Sequence, residues 1–177
     1  MQAALSDLPI NFAHQHEQRG TGHAVSQTLE ALGNGPVVVL YGDVPMIQAP
    51  TLSALVERVD EQHMALLTVT MANPHGYGRI VRNDQGQAVA IVEQKDATSE
   101  QLKIDECNTG ILAATGDQLR RWLPALSSDN AQGEYYLTDI IAMAASEGIE
   151  VATAEPALVS EVPVSYTHLT LPTIYSV

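Results

Sequence analysis

The apolar residues of this chain fall into short runs separated by glycine, proline and small polar residues, and the texture of those runs changes along the sequence. Residues 10–14 read as a short strand. After "GTG", residues 23–32 have helical spacing, with Val25, Thr28, Leu29 and Leu32 on one face, and "GNGP" ends the run. Residues 37–41 are apolar without alternation, the pattern of a central strand buried on both faces of a parallel sheet. Residues 51–61 are amphipathic, with Leu52, Leu55, Val56 and Val59 at helical spacing and Pro50 just ahead. Residues 64–71 form another unbroken apolar strand.

The middle of the chain reads differently. "GRIVRNDQGQAVAIVE" alternates around "NDQG", which predicts a β-hairpin. "DATSEQ" opens a short helical turn, and residues 106–114 ("ECNTGILAA") are strand-like. "GDQLRRWLPAL" gives a short helix stopped at Pro124. Residues 133–147 give a longer helix closed by Gly148, and "IEVATAE" is a last strand. Strands alternating with helices predict an α/β domain with a mostly parallel sheet and an inserted β-hairpin. No internal repeat or linker divides it.

Composition narrows the function. At 177 residues and 45% hydrophobic content, the chain suffices for one domain with a real core. No apolar run is long enough to cross a bilayer, and the N-terminus lacks the pattern of a signal peptide. The single cysteine, Cys107, excludes an internal disulfide and a four-thiolate metal site. A cytoplasmic location is the expectation. The net charge of −13, with eight Lys and Arg, argues against nucleic-acid and membrane partners, which need a basic face. It also leaves few cations for holding phosphates.

Candidate chemistry begins at "GPVVVLYGDVPMI", where an aliphatic strand turns polar at Tyr41-Gly42-Asp43. In open α/β sheets, ligands bind beyond the carboxyl ends of the strands. Gly42 allows close backbone approach and Pro45 stiffens the exit. A carboxylate there suits Mg²⁺, which takes one or two carboxylates plus substrate phosphates. The plainer alternative is an aspartate capping a turn.

The segments "QHEQRGTGHAV", "LYGDVP", "PHGYGRIVR", "IVEQKDAT", "ECNTGI" and "AQGEYYLTDII" occur in this order. Together they closely resemble the N-terminal domain of the bacterial bifunctional N-acetylglucosamine-1-phosphate uridyltransferase/glucosamine-1-phosphate acetyltransferases. The resemblance covers residues 1–162 and implies a Rossmann-like nucleotidyltransferase sheet. The family transfers UMP from UTP to N-acetylglucosamine 1-phosphate, giving UDP-N-acetylglucosamine, a cell-wall and lipopolysaccharide precursor, and pyrophosphate. Mg²⁺ neutralises the developing charge, in chemistry that is mostly positioning and electrostatics.

The resemblance makes Asp43 the Mg²⁺ ligand and the catalytic carboxylate, with Tyr41 and Gly42 lining the nucleotide site. Gln15 corresponds to a reader of the uracil edge, a task for a group that both donates and accepts. Gly20 and Thr21 correspond to further base-side contacts. Gly78, Glu93 and Asn108 correspond to the sugar side, and Thr138 to a further sugar contact. Each residue also has a bland reading: polar residues on a strand edge or helix start, a turn glycine, a solvated carboxylate, an amide bonded to nearby backbone, a helix-face hydroxyl bonded back to its own turn. His14 and His16 could begin a zinc site but show no third ligand. Cys107 reads as a small core residue, Trp122 and Met143 as core, and Arg120 and Arg121 as a solvated helix face.

Two departures from the family are expected to matter. Its first strand and Gly-rich phosphate loop, with an Arg and a Lys, have no counterpart here. Arg19, Arg79 and Lys95 do not replace them. The match ends at residue 162, before the family's second, Asn, Mg²⁺ ligand. Residues 163–177 ("PVSYTHLTLPTIYSV") read as a non-native tail. Little or no turnover is therefore expected of the 177-residue chain. The full-length family is trimeric. A non-catalytic sugar-nucleotide binding module, a pyrophosphorylase for another sugar 1-phosphate, and a fragment unable to fold alone are the competing readings.

Overall fold

The computed structural model describes residues 10–42 and 44–162. Its sheet has β1 (Pro36–Val39), β2 (His63–Thr70), β3 (Arg79–Arg82), β4 (Ala88–Val92), β5 (Glu106–Thr115) and β6 (Glu150–Ala154). The helices are α1 (Thr21–Ser26), α2 (Ala49–Val56), α3 (Gly116–Trp122) and α4 (Ile140–Ser146).

The strand order is β4-β3-β5-β2-β6, with β1 also paired to β5. β2 and β6 run parallel, whereas β5 is antiparallel to β1, β2 and β3, and β3 to β4. The expectation of a mostly parallel sheet is therefore corrected to a mixed one. A parallel neighbour needs a helical crossover. β5 is instead entered from the predicted hairpin through a 3₁₀ turn at Gln101–Lys103, and so returns against its neighbours.

Two apolar layers sandwich the sheet. Met64, Leu66, Leu112 and Ala114 face α3 and α4, while Ala65, Leu67, Ile111 and Ala113 face the side of α2 and Leu55. Successive residues of β2 and β5 are thus buried on opposite faces, which is why their sequences do not alternate. β1 differs from the expectation: its residues 37–39 are half-buried, and among the described residues it pairs with β5 alone. The central position belongs to β2 and β5.

Other differences have local causes. Residues 10–14 form no strand, because no described strand lies alongside to complete a ladder. The helix expected over residues 23–32 stops at Ser26 and resumes as a 3₁₀ turn at Leu29–Ala31. There the hydroxyls of Ser26 and Thr28 donate to the carbonyls of His23 (2.8 Å) and Val25 (2.7 Å), competing with the helix ladder. α2 ends at Val56 rather than residue 61.

The helix expected over residues 133–147 starts only at Ile140, after a 3₁₀ turn at Leu137–Asp139. Upstream, the backbone is claimed by another part of the chain. Tyr135 N–H donates to Arg19 O at 2.8 Å, Gly22 N–H donates to Tyr135 O at 2.9 Å, and Leu137 N–H donates to Thr21 Oγ1 at 3.1 Å.

Far from these differences, the carboxylate of Glu161 is fully buried beneath the N-terminus of α2. It accepts from Thr51 Oγ1 (2.5 Å), Gln48 N–H (3.2 Å) and Leu158 N–H (3.0 Å), capping a helix over a hundred residues away.

Candidate active site

Segments far apart in sequence meet where β3, β4, β5 and the Leu137–Asp139 turn converge. Asn108 N–H donates to Gly78 O at 2.9 Å, joining β5 to the entry of β3. Glu93 ends β4. A Cβ added to Gly78 would lie 3.3 Å from both Glu93 carboxylate oxygens and 2.8 Å from Ile91 Cγ2, so the absent side chain is what admits Glu93. Thr138 Oγ1 donates to Glu93 Oε1 at 3.1 Å, across 45 residues. The alternative of a hydroxyl bonded back to its own turn does not hold for Thr138.

Burial pushes the Glu93 carboxyl above the usual carboxylate range, and the neighbouring Asp139 and Asp96 push it further, against the Thr138 hydrogen bond. Asp139 is likewise raised, by burial first and then by Asp96. Three carboxyl groups thus crowd one site, in a chain that had seemed simply short of cations.

Asn108 sits at an interruption in β5. Leu66 pairs with Leu112, but Thr68 pairs with Asn108, so β5 carries extra residues opposite Leu67 of β2. Within this bulge Asn108 Oδ1 accepts from Gly110 N–H at 2.9 Å, Thr109 Oγ1 accepts from Ile111 N–H at 3.2 Å, and Thr109 Oγ1 donates to Leu67 O at 2.7 Å. The bland reading of Asn108, an amide oxygen bonded to nearby backbone, is what its oxygen does. Gly110 is left-handed (φ +82°), and a Cβ there would meet the Tyr41 ring at 1.7 Å. Gly110 is therefore the seat of Tyr41. Reading "NTG" as plain strand missed this, although a glycine inside a strand pattern is a bulge signal.

The residues assigned to the nucleotide form a second group. Thr21 and Tyr41 line one groove of about 540 Å³ with Val25, Val37, Val39 and Leu137. Gln15 Nε2 lies 3.2 Å from Gly20 O and 2.9 Å from His23 Nδ1, so its amide nitrogen is engaged by the entry to α1. Gly20 has φ +106°, and an added Cβ would meet Tyr135 O at 2.7 Å. Leu137 and Thr138 join the two groups: one reaches Thr21 and the groove, the next reaches Glu93.

Asp43 lies outside the described residues. Its neighbours are described: Val44 N–H donates to Tyr41 O at 3.4 Å, and an added Cβ at Gly42 would meet nothing within 4 Å. Gly42 is exposed, with open space where a side chain would stand. One carboxylate with phosphate oxygens is a donor set that suits Mg²⁺. Among the described residues no group of three or more His, Cys, Asp and Glu is placed to hold a metal, and the His14 and His16 rings stack with centroids 6.2 Å apart.

Trp122 is buried, Met143 packs against the core, and Cys107 is fully buried, with burial pushing its thiol up. Arg120 is partly solvated and also clamps the turn before β1, donating to Leu32 O and to Asn34 Oδ1 (3.1 Å). Arg121 pairs with Glu147 at 2.8 Å over the Trp122 ring. Of the cations near the site, Arg79 is 2% exposed and donates to Tyr77 O and Gln94 Oε1, and Lys95 donates to Gln132 Oε1 at 2.7 Å. No helix among the described residues is long and apolar enough to cross a membrane.

Residues 2–157 match the nucleotidyl transferase family. The chain is 62% identical over 162 residues to the bifunctional protein GlmU of Chromohalobacter salexigens, covering 92% of this chain and 36% of that protein. It is 59% identical over 157 residues to the bifunctional protein GlmU of Marinobacter nauticus, covering 88% and 35%. It thus spans about a third of the length of the curated relatives it matches. Among solved structures, a UDP-glucose pyrophosphorylase complexed with UDP-glucose superposes with a TM-score of 0.63 at 18% identity, over 88% of this chain and 64% of that one. A glucose-1-phosphate thymidylyltransferase from Bacillus anthracis gives 0.64 at 19%, over 88% and 63%. At these identities the structural likeness speaks for the fold alone.

Proposed function

We propose a function from a settled premise: this chain belongs to the nucleotidyl transferase family. It carries the amino-sugar pocket and part of the nucleotide site of an enzyme that transfers UMP from UTP to N-acetylglucosamine 1-phosphate. The products are UDP-N-acetylglucosamine and pyrophosphate. The observation that carries this reading is the meeting of Gly78, Glu93, Asn108 and Thr138 at one place, from segments spread over 60 positions.

In this reading Glu93, when ionised, accepts from sugar hydroxyls, and Gly78 keeps the approach to it clear. The Asn108 amide donates from its free end while its oxygen is fixed by Gly110. Tyr41 flanks the nucleotide, Thr21 and Gly20 shape the base side, and Gln15 offers its amide oxygen to the base. Asp43 would hold Mg²⁺ together with substrate phosphates, and the ion would neutralise charge on those phosphates. A cytoplasmic setting fits an enzyme with these soluble substrates.

Calorimetry with UDP-N-acetylglucosamine and with UDP tests the pocket. Binding of the sugar nucleotide that weakens about tenfold in Glu93→Ala, with UDP binding unchanged, is the expected result. No binding by the wild-type chain, or equal weakening for both ligands, would sink the assignment. A pyrophosphate-release assay with UTP and N-acetylglucosamine 1-phosphate, run on the same protein, separates binding from turnover. Release alongside binding supports the transfer reaction, and binding without release supports a sugar-nucleotide binding module instead.

A further inference from the structure

The exit of β4, residues 93–96 ("EQKD"), touches a different partner at each residue. Glu93 meets Thr138 (3.1 Å), and Gln94 Oε1 accepts from Gly76 N–H (2.8 Å) and Arg79 (3.1 Å). Lys95 Nζ donates to Gln132 Oε1 at 2.7 Å. Asp96 Oδ1 accepts from Ala131 N–H at 2.9 Å, and its Oδ2 accepts from the buried Tyr136 hydroxyl at 3.4 Å. Gln132 Nε2 donates to that same hydroxyl at 2.9 Å, closing a ring of side chains.

Two residues after Tyr136 comes Thr138, the group that grips Glu93. The segment between Ala131 and Thr138 is therefore pinned at both ends to residues 93–96. The nearer pin, Asp96, stands in a poor place for a carboxylate, since it adds charge beside Glu93 and Asp139 and raises both. A neutral residue would suit the electrostatics better, so the geometry of its two acceptor oxygens is what this position supplies.

We propose that Asp96 is a positioning residue: by holding residues 131–136 against the end of β4, it sets Thr138 on Glu93 and so fixes the sugar-facing wall of the pocket. Asp96 acts through Thr138 and does not touch ligand. The inference rests on the sugar pocket proposed above. It adds a residue and a division of labour, because the latch governs the sugar wall and leaves the groove of Thr21 and Tyr41 alone.

The test compares Asp96→Ala, Asp96→Asn and Tyr136→Phe in the 177-residue chain, with UDP-N-acetylglucosamine and UDP as calorimetric ligands and amide exchange at Ala131 as a ligand-free readout. Asp96→Ala is expected to weaken the sugar nucleotide about tenfold, to leave UDP within about twofold, and to speed exchange at Ala131. Asparagine keeps an oxygen for Ala131 and offers an N–H to the Tyr136 oxygen, so Asp96→Asn is expected to restore sugar-nucleotide binding. Tyr136→Phe, a milder change that serves if the alanine variant does not fold, is expected to weaken the sugar nucleotide about threefold and spare UDP.

Equal weakening for both ligands, no change in Asp96→Ala, or an asparagine variant as weak as alanine would each overturn the latch. If the wild-type chain binds no sugar nucleotide, the pocket assignment fails first. Unchanged Ala131 exchange in Asp96→Ala would then reject the latch on its own.

Discussion

The two halves of the proposed site are lined differently. On the proposed sugar side, polar side chains and backbone groups close on one another over long sequence distances: Asn108 N–H on Gly78 O, Thr138 on Glu93, Asp96 on Ala131. On the proposed nucleotide side, long-range hydrogen bonds such as Leu137 N–H to Thr21 Oγ1 fix the backbone, the Gln15 side chain bonds locally to Gly20 O, and Thr21 and Tyr41 border an open, largely apolar groove along β1. If this pocket takes a sugar as proposed, groups already fixed in place favour it, since ordering them at binding costs affinity. The two sides share the seat of Tyr41 on Gly110 and the turn holding Leu137 and Thr138.

Changes that erase the difference between the halves should be the most damaging. Gly110→Ala forces a side chain into the Tyr41 ring at a left-handed residue and disturbs both sides together. Strain plus overpacking predicts a loss of about 2 to 5 kcal/mol in urea unfolding, with both UDP and sugar-nucleotide binding impaired. A loss of stability under about 1 kcal/mol would mean Tyr41 is free to move aside.

Glu161→Ala sharpens the contrast from outside the site. It uncaps α2 and leaves buried donors unmatched, at a cost of about 1 to 3 kcal/mol, with sugar-nucleotide affinity unchanged once the protein is folded. The hydrogen bond from Thr51, foremost among several, holds the Glu161 carboxyl below its ordinary value. Its stabilisation is therefore complete above the ordinary glutamate range and is lost as pH falls through the lowered folded value. Urea titrations of wild type and variant should converge at acid pH. Persistent separation there would contradict the capping role.

Thr21→Val deprives the Leu137 amide of its acceptor and should cost about 1 kcal/mol, with a larger effect on UDP than on the sugar contribution. The smallest stability effect is expected at Glu93→Gln. Because burial raises the folded carboxyl, ionising Glu93 costs stability as pH rises through the window from the unfolded to the raised folded value. The glutamine variant should therefore match or slightly exceed wild type at neutral pH in thermal melts. It should still bind sugar nucleotide less well. Wild-type sugar-nucleotide affinity should itself decline as pH falls through the raised value, and a flat profile would remove Glu93 as the ionised acceptor.

Much of this was legible in the residues. The hairpin around "NDQG", the helix of "GDQLRRW" with its Thr115–Gln118 capping box, and the buried runs of β2 and β5 follow from local chemistry that tertiary contacts reinforce. Residues 133–139 were not legible as anything but helix, because the partners that claim their backbone lie over a hundred positions earlier. The importance of Gly110 was hidden for a similar reason: only the Tyr41 ring resting on it makes a side chain there impossible.

The sequence by itself determined the α/β class, the hairpin, the two-faced burial of the inner strands and the motifs that named a family. These rest on spacing and on local backbone preference, which act within a few residues. Only the tertiary structure decided the mixed direction of the sheet, the bulge at Asn108, the unwinding before α4 and the meeting of Glu93 with Thr138. Those depend on which distant backbone groups satisfy one another's hydrogen bonds, and that choice is made when the segments pack.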